Sequence, residues 1–368
     1  MTIFKPLAAD DKVSTKTLLH EAIPITGTIL SGTYVDGAGD PTNIQDFTHG
    51  MFQSVHDYPY LSSSANHIFD ISVGYHSTSS LYTATTTTNG MKAKKNNIYN
   101  QMAQILAGYD KDGNIQRFDE DGNIVAGGFK IDNAIFMSFS RLLVKDEIKK
   151  GSFEMTLGTN STYGSPFTSM VSVKDYNANN QYKVNSPAGE YGILYVSNSV
   201  GTPLDGLTGP TQQACGLLYY QAGVAVLNSA LFMAGTGSGD AGFLSSSVEF
   251  NSAAEDFEAV LTGSAISSSA DDLRHRIQNI QFNNTIELNS TVYFCRVKHN
   301  EFNYSSNPTY LSGSQIRVKD KATDIPISYI TSIGMYSADN QLLAVGKFSE
   351  PIRKDSNIEL TFRARLDY

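Results

Sequence analysis

Four of the seven histidines, His49, His56, His67 and His76, are close together in the sequence and raise the question of a metal site. Compact zinc sites use short, regular ligand spacings such as H-E-x-x-H, or they add paired cysteines. These histidines follow no such spacing, and no cysteine is near them. We therefore predict hydrogen-bonded histidines in loops or interfaces, and no metal.

The segments YDKDGNI and FDEDGNI resemble a calcium-binding loop in the order of their oxygen-bearing side chains. Asp110, Asp112 and Asn114 occupy alternate positions. The sixth position of such a loop needs glycine for a sharp bend, whereas here it is Ile115. Asp-Gly pairs are strong turn formers. The sequence predicts two tight β-turns, with weak calcium binding as the open alternative.

Gly237, Gly239 and Gly242 satisfy G-x-G-x-x-G, which binds dinucleotides when the turn opens a helix. Residues 243–247 do not have a helical pattern, so we expect a glycine-rich loop instead. Neither a P-loop nor a G-x-S-x-G motif is present. The sequence brings no two acidic residues together as a glycosidase pair. We predict no catalytic residue, no cofactor and no enzyme activity.

The composition favours strands, because 20 Tyr and 19 Phe accompany abundant Ser, Thr, Asn and Gly. We predict a mainly β protein with a few short helices, an α+β class with antiparallel sheets. Charged residues make up only 17% of the chain, against about a quarter in a typical soluble protein. Part of the surface is therefore expected to be covered by partners. The net charge of −9 argues against direct nucleic-acid binding.

Targeting signals and cysteine usage indicate where the protein is made. Cys215 and Cys295 are the only cysteines, so no disulfide framework is predicted, and both are expected to be buried, small apolar residues. The first residues lack the pattern of a secretory signal, and no stretch approaches the roughly 20 apolar residues of a membrane helix. We expect a soluble protein that is synthesised in the cytoplasm and has no membrane partner.

The strongest helical pattern begins near Asn96 or Asn97, either of which can cap it. Its apolar residues are expected on one face before Gly108 ends it, and they are Ile98, Met102, Ile105 and Leu106. Around this helix we predict four segments with soft boundaries. They are an extended N-terminal arm at 1–45, an α+β assembly domain at 46–160, an all-β insert at 161–250 for which a β-sandwich is one option, and a β-rich assembly domain at 251–368.

The last residues alternate between apolar and polar without a break, which predicts a half-buried β-strand. Its apolar face must lie on something, so the terminus is expected to be anchored and to complete a sheet in its own fold or in a neighbouring subunit. We predict a subunit interface on this face. Its residues are Ile358, Leu360, Phe362, Leu366 and Tyr368.

Several segments resemble structural proteins of tailed bacteriophages, especially myoviruses with contractile tails. They are RLLVKDEIKKGSFEMTL from Arg141, VKHNEFNYSSNPTY from Val297, SYITSIGMYSADNQLLAVGKFSEPIRKDSNIELTFRARLDY from Ser328, and HGMFQSVHDYPYLSSSANHIFDISVGY from His49. Together they cover under half of the chain. The resemblance implies a component of the tail, baseplate or neck, without catalytic residues, that holds copies of itself and other virion proteins through β-contacts and terminal arms.

The sequence thus predicts a structural virion protein, located in the virion after synthesis in the host bacterial cytoplasm. The alternative is a fibre or decoration protein that binds a host receptor or glycan, with Tyr and Asn on the loops of 161–250 touching the host surface. A third option is an enzyme that degrades an envelope polysaccharide.

Overall fold

The computed structural model describes residues 4–30, 34, 37, 41–82, 90–120, 122, 130–158, 170–198, 214–229, 247–250, 253–256, 267–305, 307–313, 315–317, 319 and 321–368. Strands account for 49% and helices for 15%, and the large sheets are antiparallel. This confirms the predicted class of a mainly β protein with a few short helices.

The strands, in chain order, are β1 (Lys12–Thr26), β2 (Ile44–Asp46), β3 (Gln53–His56), β4 (His67–Tyr75), β5 (Phe118–Asp119), β6 (Lys130–Ile131), β7 (Asn133–Phe139), β8 (Glu147–Ile148), β9 (Glu154–Gly158), β10 (Met170–Lys174), β11 (Tyr191–Asn198), β12 (Ala214–Tyr219), β13 (Val224–Asn228), β14 (Ser247–Phe250), β15 (Ala253–Asp256), β16 (Ile277–Val297), β17 (Leu311–Ser312), β18 (Gln315–Ile316), β19 (Ser328–Tyr336), β20 (Leu342–Lys354) and β21 (Leu360–Asp367). The α-helices are α1 (Gly27–Leu30), α2 (Gly90–Leu106), α3 (Arg141–Val144), α4 (Ala178–Gln181) and α5 (Ser267–Arg276). Short 3₁₀ turns cover Ala9–Asp11 and Pro308–Tyr310.

The chain divides into two compact units. Unit 1 contains both ends of the chain, Met1–Leu18 and Glu287–Tyr368, and unit 2 is Leu19–Ile286. The boundaries between the units fall inside β1 and β16. The four segments inferred from the sequence, with boundaries near 45, 160 and 250, stay a prediction about chain organisation.

Unit 2 is built on a continuous antiparallel sheet with the strand order β9-β10-β11-β12-β13-β7-β4-β3-β2. β11 pairs with β12, and β12 pairs with β13. Strands of the predicted insert pair outward on both sides, β10 with β9 and β13 with β7. Strands β10 to β13 are therefore part of the main sheet and do not form a sandwich of their own, while β14 pairs with β15 in a separate two-stranded sheet.

The hydrophobic core lies in unit 2, where α2 covers part of the sheet. An aromatic cluster joins the helix to three strands, with ring centroids 5.5–6.4 Å apart, and its members are Tyr99, Phe118, Phe136 and Tyr219. Tyr99 satisfies its hydroxyl by donating to the Ile131 carbonyl at 2.6 Å. Each buried aromatic side chain contributes about 2–3 kcal/mol through area removed from water.

The start of α2 was predicted incorrectly. The helix begins at Gly90, and Asn96 lies inside it, where its side-chain amide donates to the Tyr75 carbonyl at 3.0 Å. Ile105, expected on the apolar face, is 64% exposed. The helix turns by about 100° per residue, so its buried side chains form a stripe along one face. Ile105 lies outside this stripe. The deeply buried side chains are Lys95, Ile98, Tyr99, Ala103 and Leu106. The predicted end before Gly108 is confirmed.

Gly74 in β4 allows α2 to approach the sheet closely. A Cβ at this position would lie 2.7 Å from both the Lys95 carbonyl oxygen and the Tyr99 amide nitrogen. We expect Gly74→Ala to lower the free energy of unfolding by about 2 kcal/mol, because both obstacles are backbone atoms that cannot rotate away. Urea unfolding measures the change.

Gly90→Ala is the matched control for this substitution. A Cβ at Gly90 meets nothing within 4 Å, so its expected effect is within about 0.5 kcal/mol. A Gly74→Ala protein as stable as the wild type would contradict the close helix–sheet contact.

Candidate assembly interface

The four clustered histidines do not converge in space on one site. His49 stacks on Phe47, and His76 Nδ1 lies 2.9 Å from the hydroxyl of Thr78. The rings of His56 and His67 are 5.5 Å apart. In the residues that the structure describes, no group of three or more His, Cys, Asp or Glu side chains has a geometry that could hold a metal ion.

The pKa values of the neighbouring His56 and His67 are shifted in opposite directions. His67 Nε2 lies 2.8 Å from Asp70 Oδ1, and this hydrogen bond raises the pKa of His67. Burial lowers the pKa of His56, and the charge of His67 lowers it further. Ser54 donates its hydroxyl to the same Asp70 oxygen. The Asp70 carboxylate therefore lies between the Ser54 hydroxyl and the His67 imidazole. Because the hydroxyl donates to the carboxylate and not to the imidazole, this arrangement does not activate Ser54 as a nucleophile.

The first Asp-Gly unit is a tight turn, as predicted. The Asp110 carboxylate accepts hydrogen bonds from the backbone N–H groups of Asp112 at 2.9 Å and Asn114 at 2.8 Å. The backbone hydrogen bond from Asn114 is the main reason that the pKa of Asp110 is below its ordinary value. In the second unit, the Gly122 amide donates to the Asp119 carbonyl at 3.2 Å. Asp121 and the glycines of the G-x-G-x-x-G match lie outside the described residues.

Unit 2 has a small pocket near the aromatic cluster, bordered by Arg117, Asp119 and Tyr191. Its empty space is about 250 Å³, part of which is open solvent. Sites for small molecules usually enclose about 300–1,000 Å³. Cys215 is buried, which raises the pKa of its thiol and suits the predicted packing role, whereas Cys295 is only half-buried. None of these groups makes a catalytic arrangement in the described part of unit 2.

The predicted C-terminal strand exists in unit 1 as β21. It pairs antiparallel with β16 in a continuous register from Ser290 opposite Asp367 to Val297 opposite Leu360. Tyr368 and Asn289 exchange backbone hydrogen bonds of 2.8 and 3.1 Å. The half-buried strand and its anchored last residue are therefore confirmed, and β21 completes a sheet of its own chain.

The residues predicted as a subunit interface lie on one side of this strand. Ile358, Leu360, Phe362 and Leu366 are half-buried, and Tyr368 is 74% exposed. The Phe362 ring packs against that of Phe348 at 4.8 Å. The structure thus brings these side chains together within one copy of the chain, and their contact with another subunit stays a prediction.

The hairpin of β19 and β20 forms a separate two-stranded sheet in unit 1. Its turn has Asn340 at φ +62°, in the left-handed region that Asn tolerates. Residues 348–351 interrupt the pairing register of β20, and this bulge contains both Phe348 and Pro351. Because an isolated two-stranded sheet is marginal in water, the contact between Phe348 and Phe362 is expected to be important for the hairpin.

The interior of unit 1 is polar. Val297 is its only buried apolar side chain among the described residues, and none of them belongs to the hydrophobic core. Lys354 is fully buried, and its ammonium donates to the carbonyls of His299 at 3.1 Å and Asp355 at 2.7 Å and to the Asn303 side-chain oxygen at 2.6 Å. All three donors of the ammonium are therefore satisfied, as a buried charge requires. Unit 1 holds its strands with such polar contacts and with few apolar ones.

Exposed apolar side chains gather at the turn end of the hairpin. We call them the hairpin patch, and they are Phe4, Tyr336, Leu342, Leu343 and Val345. The rings of Phe4 and Tyr336 meet edge to face at 4.8 Å. The side chains of Tyr336 and Leu342 lie over Gly334, which has no Cβ to separate them.

Sequence reasoning did not find this patch. A register shift after Met335 changes which residues of β19 and β20 lie opposite each other. Simple alternation therefore could not assign the side chains to faces.

The chain matches no protein-family model, no curated protein and no solved structure. In the described part, no helix has the length and apolar character needed to cross a membrane. The arguments for function therefore come from the residues themselves.

The N-terminal segment of unit 1 belongs to the same candidate interface, because charged contacts hold it to residues 287–368 of that unit. Arg296 donates from Nε to Asp11 Oδ1 at 2.7 Å, and the Lys5 ammonium bridges to the Glu301 carboxylate. Lys5 is the main cause of the lowered pKa of Glu301. Partly exposed ion pairs of this kind contribute little stability. Phe4, next to Lys5 in the chain, contacts Tyr336.

Proposed function

We propose that the chain is a structural protein of a tailed bacteriophage virion, in the tail, baseplate or neck, and that unit 1 is where neighbouring subunits cover it. Phage origin rests on the sequence resemblance described above. The assembly role rests on the physical character of unit 1.

The main observation behind the proposal is that the strands of unit 1 carry apolar side chains that its interior does not bury. Its strands have apolar side chains on alternate positions, but these stay half-exposed and Val297 alone is buried among the described residues. Folded domains normally bury such side chains in a core of their own. A unit that exposes them gains its missing burial when other protein chains cover it.

The area involved is large enough to matter. The five side chains of the hairpin patch are each about half exposed and together offer roughly 400 Å² of apolar surface, since large side chains bury about 150–250 Å² each. Covering this area is worth about 10 kcal/mol at about 25 cal/mol per Å², before the entropy of association is subtracted. A standard interface buries about 800 Å² on each partner, so the patch supplies about half of one.

The alternative function, binding of a host receptor or glycan, was assigned to the loops of 161–250. Residues 199–213 and 230–246 of this segment lie outside the described part of the chain. No observation in the described strands β10 to β13 favours that function over assembly.

The proposal predicts that charge on the hairpin patch blocks assembly without unfolding the protein. We expect Leu342→Lys together with Val345→Lys to reduce incorporation into particles at least about tenfold, because each buried Lys opposes apolar contact. Both side chains are more than half exposed in the free chain. The midpoint of thermal unfolding should therefore shift little. Complementation of a phage that lacks the gene, followed by mass spectrometry of purified particles, measures incorporation.

Leu61→Lys is the matched control for the double variant. Leu61 is 89% exposed and lies in unit 2, so the same change of chemistry there should leave incorporation unchanged. The assembly role would be rejected if the double variant entered particles as well as the wild type. Absence of the wild-type chain from purified particles would reject the virion role itself.

A further inference from the structure

One backbone edge of β21 has no partner strand, because in the described part of the chain β21 pairs with β16 alone. Tyr368 and Asn289 exchange both of their backbone hydrogen bonds, and in antiparallel strands such pairs recur at every second residue. The even-numbered residues of β21 therefore bond to β16. The N–H and C=O groups of Thr361, Arg363, Arg365 and Asp367 point to the open edge.

Natural proteins usually protect an open edge with proline, a bulge, a very short strand or charged side chains, especially lysine. β21 contains no proline, spans Leu360–Asp367, and pairs with β16 without any register shift. The edge instead carries charges of both signs, Glu359 just before the strand and Arg363, Arg365 and Asp367 along it. Mixed charges select a partner with the complementary order more than they repel all partners.

We propose that a second copy of this chain occupies the edge, with the two β21 strands antiparallel and a two-fold axis at Phe362. This inference rests on the proposed assembly function and names the partner and the register. An isologous interface of this kind is the commonest way in which identical subunits pair. The polar pairs across the axis are Glu359 with Arg365 and Thr361 with Arg363 of the second copy. The apolar pairs are Phe362 with itself, Leu360 with Ala364, and Ile358 with Leu366.

The charges distinguish this register from its neighbours. An axis at Arg363 places Glu359 opposite Asp367, and Arg363 opposite itself. An axis at Ala364 places Arg363 opposite Arg365. Both registers therefore set like charges opposite each other, which is destabilising. An axis at Thr361 pairs Glu359 with Arg363 but leaves the last residues of the strand unpaired. The register centred on Phe362 combines two ion pairs with direct strand pairing over residues 360–364, and it sets residues 365–367 opposite the residues that precede β21.

Contacts within one copy leave these charges available. Arg365 Nε lies 2.8 Å from Asp367 Oδ1, and His299 Nδ1 lies 3.3 Å from Glu359 Oε1. All four side chains are more than half exposed in these pairs. Because exposed ion pairs contribute about 0–1 kcal/mol, they rearrange at little expense when a second strand arrives.

A charge-swap cycle on the full-length protein tests the partner and the register, with sedimentation equilibrium as the measurement. We expect a wild-type dimer, a dissociation constant raised about tenfold by Glu359→Arg or Arg365→Glu, and recovery to within about threefold in the double variant, whose pairs are again opposite in sign. Arg363→Glu is the matched control, since its partner is the neutral Thr361. A double variant as weak as the single ones overturns the register.

Cross-linking gives a second readout that does not depend on affinity. A non-hydrogen-bonded antiparallel pair has Cα atoms about 4.5 Å apart, within the range of a disulfide. Phe362→Cys in a Cys295→Ser background should therefore form a covalent dimer under oxidation, whereas Ala364→Cys in the same background should not. A covalent dimer from Ala364→Cys alone overturns the register, and a wild-type chain that stays monomeric overturns the inference.

The tests of the β21 dimer and of the proposed virion role can fail independently of each other. A chain found in purified particles that is monomeric in solution and not cross-linked through Phe362→Cys refutes only the β21 dimer. A chain that dimerises as described but is absent from particles refutes only the virion role.

Discussion

Deletion of residues 358–368 is expected to abolish self-association and to unfold unit 1 while unit 2 stays folded. β16 loses the strand that pairs with it from Ser290 to Val297, and the hairpin loses the contact between Phe348 and Phe362. Unit 1 has almost no apolar core to compensate for these losses. The core of unit 2 contains no residue of unit 1, so its cooperative unfolding should persist.

Hydrogen exchange with mass spectrometry measures this result by segment. The amides of β19, β20 and residues 290–297 should lose most of their protection, and those of β4, β7 and β13 should keep theirs. Removal of Tyr368 alone is the control, because its side chain is exposed and its loss removes two backbone bonds to Asn289 and one hydroxyl contact of 3.3 Å with Thr291. Protection of the hairpin in the truncated chain would contradict the dependence of unit 1 on β21.

The second large effect is expected at Asp175, a buried carboxylate that joins three parts of unit 2. It accepts hydrogen bonds from the amides of Gly151 at 2.7 Å and Phe153 at 3.1 Å and from the hydroxyl of Tyr220 at 3.2 Å. Asp175→Ala leaves these donors without their acceptor. We expect a loss of about 3 kcal/mol in the free energy of unfolding at pH 7, because unpaired buried donors are more destabilising than removal of the buried charge is stabilising. Urea unfolding measures this loss.

Asp175 also gives stability a predictable pH dependence. Burial raises its pKa to about 6, above the ordinary value of 3.8 that applies to the unfolded chain. Between these values the folded protein keeps a proton that the unfolded chain has released, so the contribution of Asp175 to stability falls as the pH rises. The fall is about 3 kcal/mol, is complete above about pH 7, and should be absent in Asp175→Asn. Urea unfolding from pH 4 to 8 compares the two proteins.

Asp112→Ala is the matched control for both measurements on Asp175. Asp112 is an exposed carboxylate in the turn after α2, so its removal should change stability by less than about 0.5 kcal/mol at any pH. Parallel pH profiles for the wild type and Asp175→Asn would contradict the raised pKa of Asp175.

Local patterns predicted local structure well. The alternation from Ile358 to Tyr368 identified β21, and the pair Asp112–Gly113 identified a tight turn. Both features depend on side-chain period or on turn chemistry, which act over a few residues. The start of α2 was missed because Asn96 and Asn97 are capping residues by type although they lie inside the helix, which begins at Gly90, and Ile105 was misassigned because helix faces are set by what lies opposite them.

The candidate interface was predicted only in part. The apolar face of β21 was found, since it lies on one regular strand. The hairpin patch was not, because it combines Phe4 with residues far away in the sequence and depends on the register shift after Met335. The repeat of apolar residues within one segment cannot show that residues from distant segments lie side by side.

The sequence by itself determined the class of the fold, the terminal strand and the absence of recognisable catalytic motifs, because strand period and motif spacing are properties of short stretches. Only the tertiary structure decided that both ends of the chain belong to one unit, that Lys354 is its buried centre, and that β21 keeps one edge open. These features depend on which strands meet, and that choice is set by the free energy of the whole chain.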